Sequence, residues 1–152
     1  MSSFFRHKVN FVIKVIEAIG LKKISIVVPV YNEEENLREF HKRITEVMSK
    51  EPYDYSIVFV NDGSSDNSAV ILNELANEDK HVEAYLLSRN YGHQMAITCG
   101  LDNAEGDAIV TMDGDLQHPP EIVPQLLRLW EEGNEIVITK RMATEDAGFF
   151  KN

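Results

Sequence analysis

The feature that most constrains the fold of this chain is a regular alternation of short, β-branched apolar runs with longer helical patterns. The apolar runs predict five strands, at residues 24–30, 55–60, 82–87, 109–112 and 135–139. The intervals predict four helices: at about residues 32–50, at about 65–79, after His93 and at about 120–132. Strands and helices in this order predict an α/β domain with a doubly wound, mostly parallel sheet and right-handed crossovers.

Local signals support these elements. Asn32 is predicted to cap the first helix, with Glu35 at the capping-box position. Gly63 permits a sharp turn after the second strand. The third helix carries small residues at four-residue spacing, which predicts a face that packs closely on the sheet: Ala96, Gly100 and Ala104.

Composition and missing motifs exclude several classes of protein. The formal net charge is -10 and no basic stripe occurs, which argues against a nucleic-acid partner. The single cysteine, Cys99, excludes a disulfide framework or zinc cluster within one chain. The first strand is followed neither by a phosphate loop nor by a dinucleotide-binding glycine pattern. A receiver domain is disfavoured because its acidic pair would follow the first strand, where this chain has Pro-Val-Tyr-Asn.

Residues 1–23 differ from the domain that follows at 24–152. Apolar residues recur at helical spacing, which predicts an N-terminal amphipathic helix: Phe5, Val9, Val12, Ile16 and Ile19. Polar residues interrupt this stretch too soon for it to span a bilayer. Two interpretations stay open: a helix packed on the domain or on a second subunit, as in a homo-oligomer, or a basic helix lying on an anionic membrane.

The fourth strand ends at an acidic pair, Asp113 and Asp115, separated by Gly114. Two carboxylates so close together repel each other unless a cation lies between them. With the side-chain oxygen of Gln117 they form a set of hard oxygen ligands suited to Mg²⁺ or Mn²⁺. The alternative is a solvated acidic turn between strand and helix.

The position of the other polar residues favours the metal site over that alternative. In doubly wound sheets, ligands bind at the carboxyl ends of the strands, where the strand order reverses. The candidate residues all follow strands directly, at 31–33, 62, 89–92 and 113–117. We therefore expect them to meet at one edge of the sheet.

Five segments, in order and at matching spacing, resemble the inverting GT-A glycosyltransferases of family 2 over residues 24–141. They are VVPVYNE (27–33), NDGSSD (61–66), SRNYGHQ (88–94), GLDNAEGD (100–107) and MDGDLQHPPE (112–121). The third and fifth segments are most similar to the polyprenyl-phosphate branch, which includes dolichyl-phosphate mannose synthases and bactoprenol glucosyltransferases. The resemblance implies a GT-A, nucleotide-diphospho-sugar transferase-like fold.

The resemblance also implies roles for individual residues. Pro29, Tyr31 and Glu33 would line the base and ribose pocket, and Asp62 would hydrogen-bond the base. Asp113 and Asp115, as catalytic groups, would hold Mg²⁺ or Mn²⁺ with Gln117, and Arg141 would meet the acceptor phosphate or the donor diphosphate. The remaining expected donor-binding residues are Asn32, Gly63, Arg89, Asn90, Gly92 and Gly114.

Alternatives exist for several of these residues. Tyr31 could be a packing residue, Asp62 a turn residue, and Lys140-Arg141 a solvated strand end. Arg89 fits a loop residue held by salt bridges better than a ligand contact. The two histidines of these segments are interpreted as loop or surface residues: His93 and His118.

The implied reaction is the transfer of a hexose from a UDP- or GDP-sugar to a polyprenyl phosphate, with inversion, at the cytoplasmic face of the membrane. Relatives continue with acceptor-binding elements and membrane helices, so the domain is expected to be truncated at its C-terminal end, with the acceptor region beyond Asn152. Membrane association would come from those helices or from the N-terminal helix. The alternatives are a family 2 enzyme that acts on a saccharide hydroxyl and a non-catalytic module that binds nucleotide sugars.

Overall fold

A four-stranded parallel sheet forms the centre of the fold in the computed structural model, which describes residues 20–140. The strands, in the spatial order β3-β2-β1-β4, are β1 (Lys23–Val30), β2 (Asp54–Asn61), β3 (Val82–Leu86) and β4 (Ala108–Thr111). The helices are α1 (Leu37–Met48), α2 (Ser68–Glu78), α3 (His93–Asn103) and α4 (Val123–Glu131), the last preceded by a 3-10 turn at Pro120–Ile122. The predicted α/β class with a parallel sheet is confirmed.

The alternation of side chains along β1 explains why helices cover both faces of the sheet. Ile24, Ile26 and Val28 belong to the larger core, which α1, α2 and α4 cover, whereas Val27 belongs to a second core on the opposite face, beneath α3. Residues 24–30 are almost completely buried. A strand buried on both faces must be apolar throughout, as this one is apart from Ser25.

The small-residue face of α3 lies on the sheet as predicted. Ala96 and Gly100 are buried and Ala104 packs against the second core. A Cβ atom added at Gly100 would lie 2.3 Å from Cγ1 of Val27. Only glycine therefore allows α3 to approach β1 this closely.

Three predicted elements differ from the structure. Residues 135–139 do not form a strand; they and β4 line a cavity of about 730 Å³, so they do not pair with the free edge of β4. Ile136 and Ile138 are 82% and 83% exposed there. The predicted helix at 1–23 falls mostly outside the described residues, and within them residues 20–22 are not helical and β1 begins at Lys23.

The third difference concerns the start of α1. Asn32 does not cap the helix, which begins at Leu37 with Asn36 at the cap position and without a side-chain cap bond. Asn32 instead adopts φ +52°, and its side-chain oxygen accepts a hydrogen bond from the Ser65 N–H at 2.8 Å. A long-range contact thus replaces the local cap.

No helix in the described part of the chain is both long and apolar enough to cross a membrane.

A cluster of polar side chains joins α1, α2 and β3 at the end of the sheet opposite the candidate residues. The Asp79 carboxylate is bonded to Nε2 of His41 and to Nδ1 of His81, both at 2.8 Å, and accepts the His81 N–H at 2.9 Å. Burial alone would raise the pKa of Asp79, but these hydrogen bonds outweigh it and the pKa is lowered. The ionised carboxylate therefore stabilises the folded state.

We expect Gly100→Ala to lower the free energy of unfolding by about 1–3 kcal/mol, because the added methyl group overpacks the contact with Val27. Urea unfolding measures this change. Leu101→Ala, at a residue 42% exposed on the same helix, is the control and should have a much smaller effect. An unchanged midpoint for Gly100→Ala would contradict the close packing of α3 on β1.

We expect Asp79→Asn to lower the free energy of unfolding at pH 7 by roughly 1–3 kcal/mol, the usual cost of losing hydrogen bonds to a charged group. Because the folded-state pKa is lowered, the carboxylate contributes fully above its unfolded pKa of about 3.9 and loses this contribution as the pH falls through the folded value. The difference in stability between the two proteins should therefore begin to shrink only below about pH 4 and vanish below the folded-state pKa of Asp79. Asp54→Asn, at an exposed carboxylate, is the control; a difference that persists at low pH would contradict the electrostatic origin.

Candidate active site

Residues that follow β1, β2, β3 and β4 meet in one crevice at the carboxyl ends of the strands. The crevice has a volume of about 320 Å³ and lies where the strand order reverses, with β2 on one side of β1 and β4 on the other. It is lined by Pro29, Val30, Tyr31, Glu33, Asp62, Asn90, Gly92, His93, Ala96, Asp113, Gly114 and Asp115. Most residues singled out from the sequence therefore lie together.

Four of the residues singled out do not line this crevice, and a fifth is not described. Asn32, Gly63 and Arg89 lie in the surrounding loops, and Gln117 lies beyond the acidic pair. Arg141 falls outside the described residues.

The acidic pair follows the end of β4, and both residues line the crevice. Gly114 is buried, and a Cβ atom there would lie 3.3 Å from Cγ1 of Val28. The Asp113 side chain is 44% exposed, and its Oδ1 atom lies 3.6 Å from Nε2 of His93. Within residues 20–140, no lysine or arginine forms an ion pair with Asp113 or Asp115. In this part of the chain, His93 is thus the basic side chain beside the pair, and the pair has no lysine or arginine partner.

This donor set fits a magnesium-like ion. Among the described residues, no group of three or more His, Cys, Asp or Glu side chains could hold a metal. Mg²⁺ is commonly held by one or two carboxylates, with water and substrate phosphate completing the shell. Two partly exposed carboxylates, with the amide of Gln117 two residues further on, match that pattern better than a preformed metal cage.

The loop after the acidic pair is fixed from both ends. The Gln117 N–H donates to Oδ1 of Asp115 at 3.0 Å, while Leu116 adopts φ +62° and packs against the main core. Further on, Glu121 accepts two hydrogen bonds from Arg43 of α1, at 2.9 and 2.6 Å. The Arg43 guanidinium lowers the pKa of Glu121. This pair was not predicted, because no local pattern connects residues 78 positions apart.

The loop after β1 is braced by the loop after β2. The Asn32 N–H donates to Oγ of Ser64 at 2.9 Å, and the Glu33 N–H donates to Oγ of Ser68 at 2.9 Å. Glu33 also accepts a hydrogen bond from the Asn36 side chain at 2.8 Å. Asn32 is therefore engaged in this brace, whereas the Tyr31 side chain is 49% exposed at the crevice.

The loops after β2 and β3 are joined through Asp62 and Gly63. Asp62 is only 3% exposed, and its two oxygens accept the N–H groups of Tyr91 at 2.7 Å and Gly92 at 3.0 Å. Gly63 adopts φ +65°, and a Cβ atom there would lie 2.2 Å from the backbone carbon of Arg89. The two loops are thus in direct contact.

Arg89 stacks on an aromatic ring, although the sequence analysis expected it to form salt bridges. Its guanidinium lies 4.5 Å from the centroid of the Tyr91 ring. The Tyr91 hydroxyl lies 3.2 Å from Oγ of Ser88, and the pKa of Tyr91 is lowered by this hydrogen bond and by Arg89. Arg89 belongs to the loop, and it does not line the crevice.

A second cavity of about 230 Å³ adjoins the crevice at Asp113 and His93. Its other polar residues include His118 and Thr139. His93 and His118 were interpreted from the sequence as loop or surface residues. Both residues are exposed. His93 is the first residue of α3, which begins directly after Gly92, and its side chain lies beside Asp113 of the acidic pair.

Comparison with known proteins identifies the family. The family model described as "Glycosyl transferase family 2" matches residues 25–152. The undecaprenyl-phosphate 4-deoxy-4-formamido-L-arabinose transferase of Proteus mirabilis (strain HI4320) is 46% identical over 132 residues, 86% of this chain and 40% of that protein. The uncharacterized glycosyltransferase YkcC of Bacillus subtilis (strain 168) is 48% identical over 127 residues, 84% of this chain and 39% of that protein. The chain thus spans about 40% of the length of these curated relatives.

Solved structures share the fold. The mannosyltransferase PcManGT from Pyrobaculum calidifontis, in complex with GDP-Man and Mn²⁺, is similar with a TM-score of 0.54 at 20% identity, over 63% of this chain and 28% of that one. TarS from S. aureus is similar with a TM-score of 0.56 at 23% identity, over 72% of this chain and 32% of that one. The described fold is GT-A-like, and the family model covers most of the sequence. The chain belongs to glycosyl transferase family 2.

Proposed function

We propose that this chain provides the nucleotide-sugar and metal-binding part of a transferase that moves a hexose from a nucleotide-diphosphate sugar to a polyprenyl phosphate, with inversion. The observation that carries the proposal is the crevice that brings Tyr31 and Asn90 together with Asp113 and Asp115. The name of the P. mirabilis relative includes undecaprenyl phosphate, which supports this class of acceptor.

Each part of the crevice suits one part of the donor. Tyr31, Glu33 and Asn90 offer an aromatic ring and polar groups for the base and ribose. Asp113 and Asp115, with Gln117, would hold Mg²⁺ or Mn²⁺ beside the diphosphate. The ion, when bound, would supply Lewis-acid neutralisation of the charge on the departing diphosphate. The complexes of structural neighbours, PcManGT with GDP-Man and Mn²⁺ and TarS with UDP, support a nucleotide donor but leave the base open.

The acceptor decides whether a general base is required. A hydroxyl acceptor needs a side chain that removes its proton. A phosphate monoester has its second ionisation near about pH 6, so it is already largely anionic at neutral pH. Inversion requires only that the acceptor phosphate attacks the sugar from the face opposite the diphosphate. Arg141 would contact the acceptor phosphate or the donor diphosphate. A lipid acceptor places the reaction at a membrane surface, which we take to be the cytoplasmic face.

Membership of the family is also compatible with a second class of acceptor, a saccharide hydroxyl. A saccharide hydroxyl would be used if a carboxylate base is supplied from outside the described residues. A module that only binds nucleotide sugar, with residues 1–23 as an oligomer contact, is the alternative from a different class.

We expect Asp115→Ala to weaken Mn²⁺-dependent binding of the nucleotide strongly, because it removes one of the two carboxylates that would neutralise the ion beside the diphosphate. Calorimetry with UDP and GDP, with and without Mn²⁺, measures the loss. Asp102→Ala, at an exposed carboxylate of α3 outside the crevice, is the control. Equal affinity of the Asp115 variant and the unchanged chain, with Mn²⁺ present, would contradict a metal role for this pair.

The chain should bind UDP-glucose or GDP-mannose in the presence of Mn²⁺, and the transferase of which it forms a part should pass labelled sugar to undecaprenyl phosphate in detergent micelles. Thin-layer separation of the lipid product measures transfer, with a saccharide acceptor in a parallel reaction. Transfer to the saccharide only would favour the hydroxyl-acceptor alternative, and binding without transfer to either would favour the binding module. No binding of either nucleotide sugar would contradict the proposed function.

A further inference from the structure

An ion pair joins α1 to the turn before α4, close in sequence to the acidic pair. Nε of Arg43 donates to Oε1 of Glu121 at 2.9 Å, and its Nη2 donates to Oε2 at 2.6 Å. Two parallel bonds between a guanidinium and a carboxylate fix the orientation of the two groups as well as their distance. The pair can therefore hold one segment of the chain in place against another.

The arginine end of this pair belongs to a rigid element. α1 packs on the main core through four buried residues: Leu37, Phe40, Ile44 and Met48. Arg43 directly precedes Ile44, in the middle of this helix. The guanidinium thus extends from a helix whose position the core already fixes.

The glutamate end belongs to the segment that carries the proposed metal ligands. Glu121 lies in the 3-10 turn Pro120–Ile122, four residues after Gln117. The Ile122 N–H donates to the Pro119 carbonyl at 3.1 Å, and the proline rings restrict the backbone of the turn. A restraint on Glu121 is therefore transmitted to the end of the loop at residues 113–119.

This loop contains a backbone conformation that needs such a restraint. Leu116 adopts φ +62°, in the left-handed region that residues other than glycine rarely occupy. A conformation of this kind persists only where the surrounding structure holds it. Because Leu116 lies between Asp115 and Gln117, relaxation of its backbone would turn those two side chains relative to each other. The pairing of β4 with β1 holds the segment before the loop, and the bonds from Arg43 to Glu121 hold the turn after it.

From these contacts, and resting on the proposed metal site, we propose that Arg43 and Glu121 are positioning residues for the metal-binding loop. They act through Asp115 and Gln117, by holding the loop in the conformation that presents the oxygens of these side chains to a divalent ion. Mg²⁺ requires near-ideal octahedral geometry, so a small displacement of its ligands weakens binding. Neither Arg43 nor Glu121 lines the crevice, and neither acts by contact with the nucleotide.

Calorimetry with Mn²⁺ and whichever of UDP and GDP binds more tightly tests the functional half of this proposal. Arg43→Ala and Glu121→Ala should each weaken Mn²⁺-dependent binding about fivefold, the factor expected for the loss of a partly exposed ion pair. The double variant should weaken it no further, because either substitution already breaks the pair. Unchanged binding in either single variant, or a loss in the double variant equal to the product of the two single losses, would overturn the proposal.

The sign of the two effects separates positioning from simple attraction between charges. If the two residues acted on the ion only through their charges, loss of the Arg43 cation would strengthen Mn²⁺ binding and loss of the Glu121 anion would weaken it. Positioning predicts that both substitutions weaken it. Effects of opposite sign would overturn the proposal.

Glu74→Ala is the matched control, because it removes the ion-pair partner of Arg38, which also lies on α1. Urea unfolding should show a similar loss of stability in Glu74→Ala and Glu121→Ala. Only Glu121→Ala should weaken Mn²⁺-dependent binding of the nucleotide. Equal weakening by the two variants would indicate a general effect of destabilisation and would overturn the proposal.

Amide hydrogen exchange distinguishes failure of this proposal from failure of the proposed function. The Gln117 N–H donates to Oδ1 of Asp115 at 3.0 Å, and it should exchange about fivefold faster in Glu121→Ala but at an unchanged rate in Glu74→Ala. If the unchanged chain binds neither UDP nor GDP with Mn²⁺, the proposed function fails, and the exchange rate still decides whether the ion pair holds the loop. An unaltered rate in Glu121→Ala would overturn the proposal.

Discussion

The pairing of β1 with a parallel strand on each side is the constraint on which the rest of the structure depends. β1 pairs with β2 over residues 23–30 and with β4 over residues 24–27, and almost all of it is buried. Because these strands run in the same direction, their carboxyl ends open at one edge of the sheet. The loops that carry Tyr31, Asp62 and Asp113 are therefore neighbours, although they are far apart in sequence.

The parts of this arrangement that follow from local chemistry could be predicted from the sequence. The β-branched runs predicted the four observed strands with boundaries correct to within two residues. The spacing of Ala96 and Gly100 predicted the face of α3 that packs on the sheet. Since parallel strands end at one edge, the residues after them were expected to share a crevice, and most of them do. The family resemblance supplied what pattern alone could not, namely the roles of those residues.

The parts that depend on distant partners could not be predicted. Residues 135–139 have the alternation of a strand, but a ladder requires a neighbouring backbone, and β4 lies across a cavity. Asn32 has the chemistry of a helix cap, yet the nearby Ser65 N–H binds its side chain instead. The pairing of Arg43 with Glu121 has no signal in sequence at all, because both are ordinary polar residues of surface segments.

The hydrogen bonds that they accept distinguish the acidic residues near the crevice. Asp62 and Asp66 accept backbone N–H groups, so their oxygens hold loops in place. Asp113 and Asp115 are more exposed than Asp62, and no lysine or arginine in the described part of the chain pairs with them. Sequence alone presents Asp62, Asp113 and Asp115 alike, as carboxylates just after strands. Their charges nevertheless act differently. Two backbone N–H groups stabilise each of Asp62 and Asp66, whereas Asp115 accepts one, from Gln117, and the pair of Asp113 and Asp115 can still attract a cation together with its phosphate ligand.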